Sequence, residues 1–340
     1  MENILTQDEI HKLEEDRISF YPTMIEFKVK FVNIFNTQEE IEKHIKKGII
    51  NFENCLINCD VTFERRELNA EDIEFSFCHF AGDASWRETT FIGDAFFEGA
   101  IFSKPATWKG ATFEKRVSFN KLKYGIQDLN FTDVLFKENG YFYKSEIDNI
   151  DLKHSTIEKN LYFLDATVHK TNRESARIIK HEFLKIDNRI ESLVYHALEM
   201  NAYLDEIKKE ENSFKSDHPF WEKFILYLSK WSNGYGLNLG RSVLFTILTG
   251  LFFFTVYVSL LPEKPFEWGW NGILPMLKSI THTLNYFPEF LSPTHSFQYM
   301  RDIPKNGYIG YLVLVDFIGR IFIGFGIYQT IQTFRKYGRK

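Results

Sequence analysis

Residues 75–119 read FSFCHFAGDASWRETTFIGDAFFEGAIFSKPATWKGATFEKRVSF, and the aromatic side chains in this stretch fall on a beat: Phe75, Phe80, Trp86, Phe91, Phe97, Phe102, Trp108, Phe113 and Phe119. The steps alternate five and six, an eleven-residue period held over four repeats. Small residues stand two positions ahead of the aromatic ones, at Ala84, Thr89, Ala95, Ala100, Ala106 and Ala111. Neither a helix, with its period of 3.6, nor a strand, with its period of two, generates such a pattern. A short fixed period marks a solenoid, whose units bury their apolar faces only by stacking on their neighbours. Phe52, Phe63, Phe131, Phe136 and Phe142 continue the beat more weakly, extending it over about residues 50–165. Two periods make one coil of 22 residues, which predicts about five coils. Cys55, Cys59 and Cys78 suit interior small-residue slots, and no second cysteine pair stands at zinc-ligand spacing.

The whole chain has 340 residues, a length that favours two domains, and its 44% hydrophobic and 17% aromatic content excludes a disordered or collagen-like polymer. A formal net charge of −5 excludes a uniformly basic nucleic-acid binder, and no duplex DNA partner is expected. Three cysteines exclude a disulfide scaffold. The opening MENILTQDEIHKLEEDR has no apolar core of a secretory signal, so the amino terminus is expected in the cytoplasm.

The carboxyl-terminal third is different. Ser242 to Leu261, SVLFTILTGLFFFTVYVSLL, carries no charge, and twenty residues at 1.5 Å each match a hydrocarbon core of about 30 Å. A second apolar segment runs from Tyr308 to Thr330 and contains Asp316 and Arg320, each costing about 2.5 to 3.5 kcal/mol at the centre of a span. Four residues apart on one face, the two either form a mutual salt pair or look toward water or a neighbouring helix. Arg241 before the first span, and Arg335, Lys336, Arg339 and Lys340 after the second, put both termini on the cytoplasmic side. The intervening residues 262–306 contain a stretch, about 272–284, long enough only for a half-span helix. Its terminal carbonyls would need shelter from lipid inside an assembly of several copies.

Span, re-entrant half-helix, span is a layout that resembles two-transmembrane tetrameric cation channels. Thr281, Thr283, Asn285, Tyr286 and Phe287 fall where that family carries its Thr-x-Gly-Tyr-Gly filter, with Thr283 and Tyr286 matching and Asn285 and Phe287 replacing glycines. Those glycines let filter carbonyls point at the ion, so the resemblance implies a pore of weaker potassium selectivity. Glu289 is either a mouth carboxylate favouring cations or a solvated loop charge. Glycines in the second span, Gly319, Gly324 and Gly326, permit bending or close helix approach; the resemblance implies a gating hinge at Gly324 or Gly326.

The aromatic beat in turn resembles pentapeptide-repeat proteins, which implies a right-handed four-sided β-helix. The expected organisation is an N-terminal cap region (1–50), the β-helix (51–170), a helical linker with an interfacial amphipathic helix (171–240) and a two-span pore module with a re-entrant pore helix (241–340). In the linker, Ile178, Phe183 and Ile186, then Leu193, Ala197, Met200 and Leu204, mark apolar helix faces broken at Asp187-Asn188. Phe220 to Trp231 reads as an aromatic-rich helix suited to a membrane interface. This order resembles bacterial membrane proteins joining pentapeptide repeats to a channel module, and the channel subunit of Hailong-type anti-phage systems. That resemblance implies a homotetramer in the bacterial inner membrane, gated by a nucleotide or oligonucleotide made by a partner nucleotidyltransferase. Lys104, Lys109, Lys115, Arg116 and Lys121 crowd one coil of an otherwise acidic solenoid; they are either a phosphate-binding band or ordinary outward positions. No catalytic motif appears, no cofactor is expected, and the alternative to a channel is a non-conducting membrane-anchored scaffold.

Overall fold

A repeat of 22 residues places equivalent positions one above another, so successive coils must pair in parallel and close their backbone hydrogen bonds between coils. The computed structural model describes residues 31–46, 50–123, 128–212, 220–261, 281, 284–295 and 310–338. Its contacts divide the chain into two units, one ending at Ala202 and the other starting at Tyr203. In the first, strands between Ile34 and Thr171 form four all-parallel walls of four, six, five and five strands. Register partners lie 22 or 23 residues apart through most of the stack, as in Ala84 beside Ala106 and Val61 beside Ala84, and 21 apart in the last coils, as in Gly140 beside Leu161. The solenoid therefore has about six turns, one more than expected. Pairing reaches back to Ile34, against Leu56, and forward to Thr171, against Ile150.

The beat residues are the core. Phe52, Phe75, Phe97, Phe119, Phe142 and Phe163 stack in one column with ring centroids 5.3, 5.1, 4.9, 5.2 and 4.5 Å apart. A second column runs Phe63, Trp86, Trp108, Phe131 at 5.9, 4.9 and 4.9 Å. The small residues face inward as expected, Ala84, Thr89, Ala95, Ala100, Ala106 and Ala111 all being buried, together with Cys55 and Cys78. Thr89 donates to the Phe63 carbonyl (2.7 Å) and Cys78 to the Phe52 carbonyl (2.6 Å), so these two interior polar side chains are satisfied by the previous coil, whereas the indole N–H groups of Trp86 and Trp108 find no acceptor among the described residues.

Two kinds of corner explain the alternation of five and six. After Phe75, Trp86, Phe97, Trp108 and Phe119 the chain turns through a left-handed residue two positions on: Phe77, Glu88, Gly99, Gly110 and Lys121. The amide after each of the first four turns bonds back to the ladder carbonyl, as in Ala100 to Phe97 at 3.2 Å, while after the fifth the Leu122 amide donates to Ser145 Oγ at 3.1 Å. The other corners hold one residue more, and a Cβ on Gly93 there would lie 1.9 Å from the Ala70 carbonyl oxygen. Only glycine fits that approach.

Helices close both open edges, which would otherwise present unpaired strands. Helix α1 (Gln38–Lys46) starts in a capping box: Thr37 Oγ1 accepts from Glu40 N while Glu40 Oε2 accepts from the Asn36 and Thr37 amides. Its Gln38 amide bonds Thr62 as a strand would, donating to the carbonyl at 2.9 Å and accepting from the N–H at 3.3 Å. At the other edge, helix α2 (Arg173–Lys185) offers Ser175 Oγ to Leu152 N (2.7 Å), Glu174 to His154 N (2.8 Å) and Glu182 to Leu161 N (3.0 Å). Asp187, at φ 56°, breaks the chain before helix α3 (Arg189–Asn212), where expected. Ile179 and Phe183 are buried, but Ile186, read as part of the apolar face, is 48% exposed because it follows the last helical turn.

The second unit contains helices α4 (Phe220–Asn233), α5 (Leu239–Leu260), the single turn α6 (Phe287–Phe290) and α7 (Gly310–Gly338). Asn238 caps α5 by accepting from Arg241 N at 2.9 Å.

Candidate functional site

Helices α5 and α7 are both long and apolar enough to cross a membrane. Only 28% of each apolar window is buried, unlike the core helix of a soluble protein, and Leu244, Leu248, Phe252, Leu314, Phe317 and Ile321 lie exposed. The two run antiparallel. The Tyr311 hydroxyl donates to the Leu260 carbonyl (3.5 Å) at one end, and toward the other a Cβ on Gly326 would lie 2.4 Å from Thr246 Oγ1. Gly326 is thus a close-approach contact, and Gly319 another, with Phe253 Cβ 3.1 Å from its built Cβ. Gly324 meets nothing within 4 Å. Below Gly326, Asn233 at the end of α4 donates to Gln329, both side chains buried, while its Oδ1 accepts from Gly236 N at 2.9 Å.

Between α5 and α7 the chain folds back against both. A Cβ on Gly250 would sit 2.5 Å from Leu291 Cδ2 and 3.4 Å from the Phe287 ring. Gly250 is 11 residues past Leu239 and 10 before Leu260, about 16 Å from one end of α5 and about 15 Å from the other. Phe290 is fully buried, 5.5 Å from the Phe254 ring and 6.0 Å from Tyr257, and its edge lies 3.4 Å from the Cβ position of Gly319.

Beyond Phe290, His295 completes a buried polar cluster. Its Nε2 stands 2.9 Å from Asp316 Oδ1, while Arg320 holds Asp316 Oδ2 through Nε (2.9 Å) and its terminal nitrogen (2.7 Å). The side chains of His295 and Asp316 are 1% and 2% exposed. Of the two readings of Asp316 and Arg320, the salt pair is made. What the sequence withheld is its third member, 21 residues upstream; a histidine just outside an aspartate-bearing apolar segment is the signal that points to it.

The filter candidates lie elsewhere on the same segment. Thr281, Asn285 and Glu289 are exposed, Tyr286 and Phe287 half-buried, and Thr283 lies outside the described residues, as does most of the expected pore helix at 272–284. The backbone here is helical: the carbonyls of Thr281, Tyr286 and Phe287 accept from the amides of Asn285 (3.1 Å), Phe290 (3.1 Å) and Leu291 (3.0 Å). They are engaged in turns rather than directed at an ion.

On the solenoid, the crowded cations are spread around successive corners of one coil, and stacking pairs several with carboxylates of the coil before. Arg116 grips Asp94 at 2.5 Å, Lys121 meets Glu98 at 2.5 Å, and Lys104 lies 3.4 Å from Asp83 and 3.5 Å from Asp60. Burial pushes the Asp94 carboxyl up, but the Arg116 hydrogen bonds outweigh it and hold Asp94 below the ordinary carboxylate range. Asp60 and Asp83 hold the Lys104 ammonium above its usual range. Lys109 and Lys115 make no ion pair within 4 Å among the described residues. The ladder aromatics point inward, yet Tyr141, Tyr143 and Tyr162 cluster on the outer wall, half-buried, with centroids 5.3 to 6.3 Å apart. Tyr141 pairs in register with Ser118, two residues from Arg116. No three His, Cys, Asp or Glu side chains among the described residues are arranged to hold a metal ion.

Residues 71–112 match the family model for pentapeptide repeats (9 copies), which agrees with the β-solenoid. No curated protein and no solved structure matches the chain.

Proposed function

We propose that this protein is an oligomeric ion channel of the bacterial inner membrane, non-enzymatic, with both termini in the cytoplasm and a solenoid that receives the gating signal. The observation that carries this reading is the contact of Leu291 and Phe287 with Gly250, halfway along an apolar helix. A segment returning to mid-span, fixed beside a buried Asp–Arg pair, is unfavourable facing lipid and favourable around a shared axis. The exposed apolar faces of α5 and α7 leave surface for companion subunits, four by the resemblance, and for lipid. The aromatic face of α4, with Phe220, Trp221 and Trp231 each about 70% exposed, suits the membrane interface. Signal reception falls to the solenoid, where Lys115 borders the wall that carries the outer tyrosines and Lys109 stands one corner earlier, both open to a nucleotide, an oligonucleotide or a partner protein. A membrane-depolarising role in phage defence rests on the resemblance alone.

Proteoliposomes containing the purified full chain test the reading: a cation-dependent dye signal under an imposed gradient is expected, with Glu289→Gln reducing cation preference. Liposomes that stay sealed with the protein inserted would remove it. The second reading, a non-conducting membrane-anchored scaffold, is favoured by the helical hydrogen bonds that engage the Thr281, Tyr286 and Phe287 carbonyls. Sealed liposomes are its expected result.

A further inference from the structure

The histidine cluster between the spans has a proton requirement that its geometry fixes. His295 Nδ1 lies 2.6 Å from the Ser292 carbonyl oxygen, and Nε2 lies 2.9 Å from Asp316 Oδ1. A carbonyl only accepts, so Nδ1 carries a hydrogen. In a neutral imidazole the other nitrogen is then a bare acceptor, and an ionised carboxylate opposite it would set two lone pairs against each other. The contact closes only with one more proton, either on Nε2 as an imidazolium or on the Asp316 carboxyl. Both assignments leave the three side chains, with the Arg320 guanidinium, holding a net charge of one.

We propose that His295, Asp316 and Arg320 form a proton-binding latch that pins the inter-span segment to the second span. His295 belongs to the segment that carries Phe287, Phe290 and Leu291 against α5, so the proton joins that segment to α7. Among the described residues, the groups facing the imidazole are Asp316, with Arg320 behind it, from α7 and, across the Phe290 ring, Tyr257 from α5; Glu289 on its own segment is exposed. Once the contact opens, a free imidazole gives up its second proton above about pH 6.5. The latched state then binds one proton more than the open state. By linkage the latched-to-open ratio falls up to tenfold for each unit of rising pH in that range. Acid closes the latch and alkali opens it, whether or not the protein conducts.

The test uses the full chain in lipid nanodiscs at pH 8 with ring-15N-labelled histidine, His295→Asn identifying the resonance among the ten histidines. The expected spectrum shows both ring nitrogens of His295 protonated, or one protonated together with an infrared carboxylic-acid band that vanishes in Asp316→Asn. One bare ring nitrogen without that band would overturn the latch. Asp316→Asn supplies its own amide hydrogen to Nε2, so its latch should ignore pH. Nitroxides on ketone side chains at positions 289 and 328 read the latched fraction: a wild-type ratio that falls between pH 7 and 9 while the variant's stays flat is expected. A wild-type ratio as flat as the variant's overturns the proposal. Sealed liposomes with an intact protonated histidine would refute the channel and leave the latch standing.

Discussion

Replacing Trp108 by Phe sets two interior effects against each other at one site. Trp108 is fully buried between Trp86 and Phe131, at 4.9 Å from each, and its indole N–H finds no acceptor among the described residues. The substitution opens a few tens of Å³, about 1 kcal/mol at the usual cavity slope of ~24 cal/mol per Å³. It also removes a buried orphan donor whose desolvation costs about 1 to 3 kcal/mol. The same column holds Phe63 and Phe131 in equivalent positions, so the slot accepts a phenyl ring without distortion. Trp108→Phe is therefore expected within about 1 kcal/mol of wild type, neutral or stabilising, while Trp108→Ala loses about 3 to 5 kcal/mol. Urea unfolding of the full chain in detergent, followed by near-ultraviolet circular dichroism, measures both. A Phe variant as damaged as the Ala variant would refute the column as a set of interchangeable slots.

Gly93→Ala should prevent coil closure, since its Cβ meets the Ala70 carbonyl oxygen, and protease digestion of the repeat region should accelerate at least tenfold. Gly326→Leu should splay the spans and lower the detergent melting temperature by several degrees, whereas Gly324→Leu, with open space around it, should leave it unchanged. Acid should loosen the α2–α3 pair in two steps. Burial and then Lys180 hold the His196 imidazole below its ordinary value, so its stabilisation is present above about pH 6.5 and is lost as pH falls through the lowered value. Burial pushes Glu199 up, but Lys180 (2.5 Å) and Arg177 (3.0 Å) outweigh it and hold it below the carboxylate range; that stabilisation is lost below about pH 4. Glu199→Gln should abolish the second step in amide exchange of residues 173–200 and move the first to lower pH, because the Glu199 carboxylate 3.8 Å away pulls the His196 imidazole upward.

The solenoid was readable because its core is periodic: a residue's neighbour in space is the residue 21 to 23 positions on, so the column Phe75, Phe97, Phe119 is visible as spacing. The extra coil was not, because Ile34 and Phe35 join the stack through backbone pairing and carry no beat. Charge counting along the chain saw Lys104, Arg116 and Lys121 as a cluster, while stacking lays each beside a carboxylate about one coil earlier. The two long apolar helices followed from composition, since the capacity to cross a membrane depends on length and polarity. The histidine cluster did not, for a contact between His295 and Asp316 depends on how an irregular segment folds back, which no period records.

The depth of Phe290 between the spans tests the account most directly. Fluorine labelling of that ring in bilayers, with paramagnetic lipids bearing the spin either at mid-chain or at the headgroup, compares two relaxation rates. Faster relaxation from the mid-chain label is predicted; faster relaxation from the headgroup label would place the segment at the surface and contradict it.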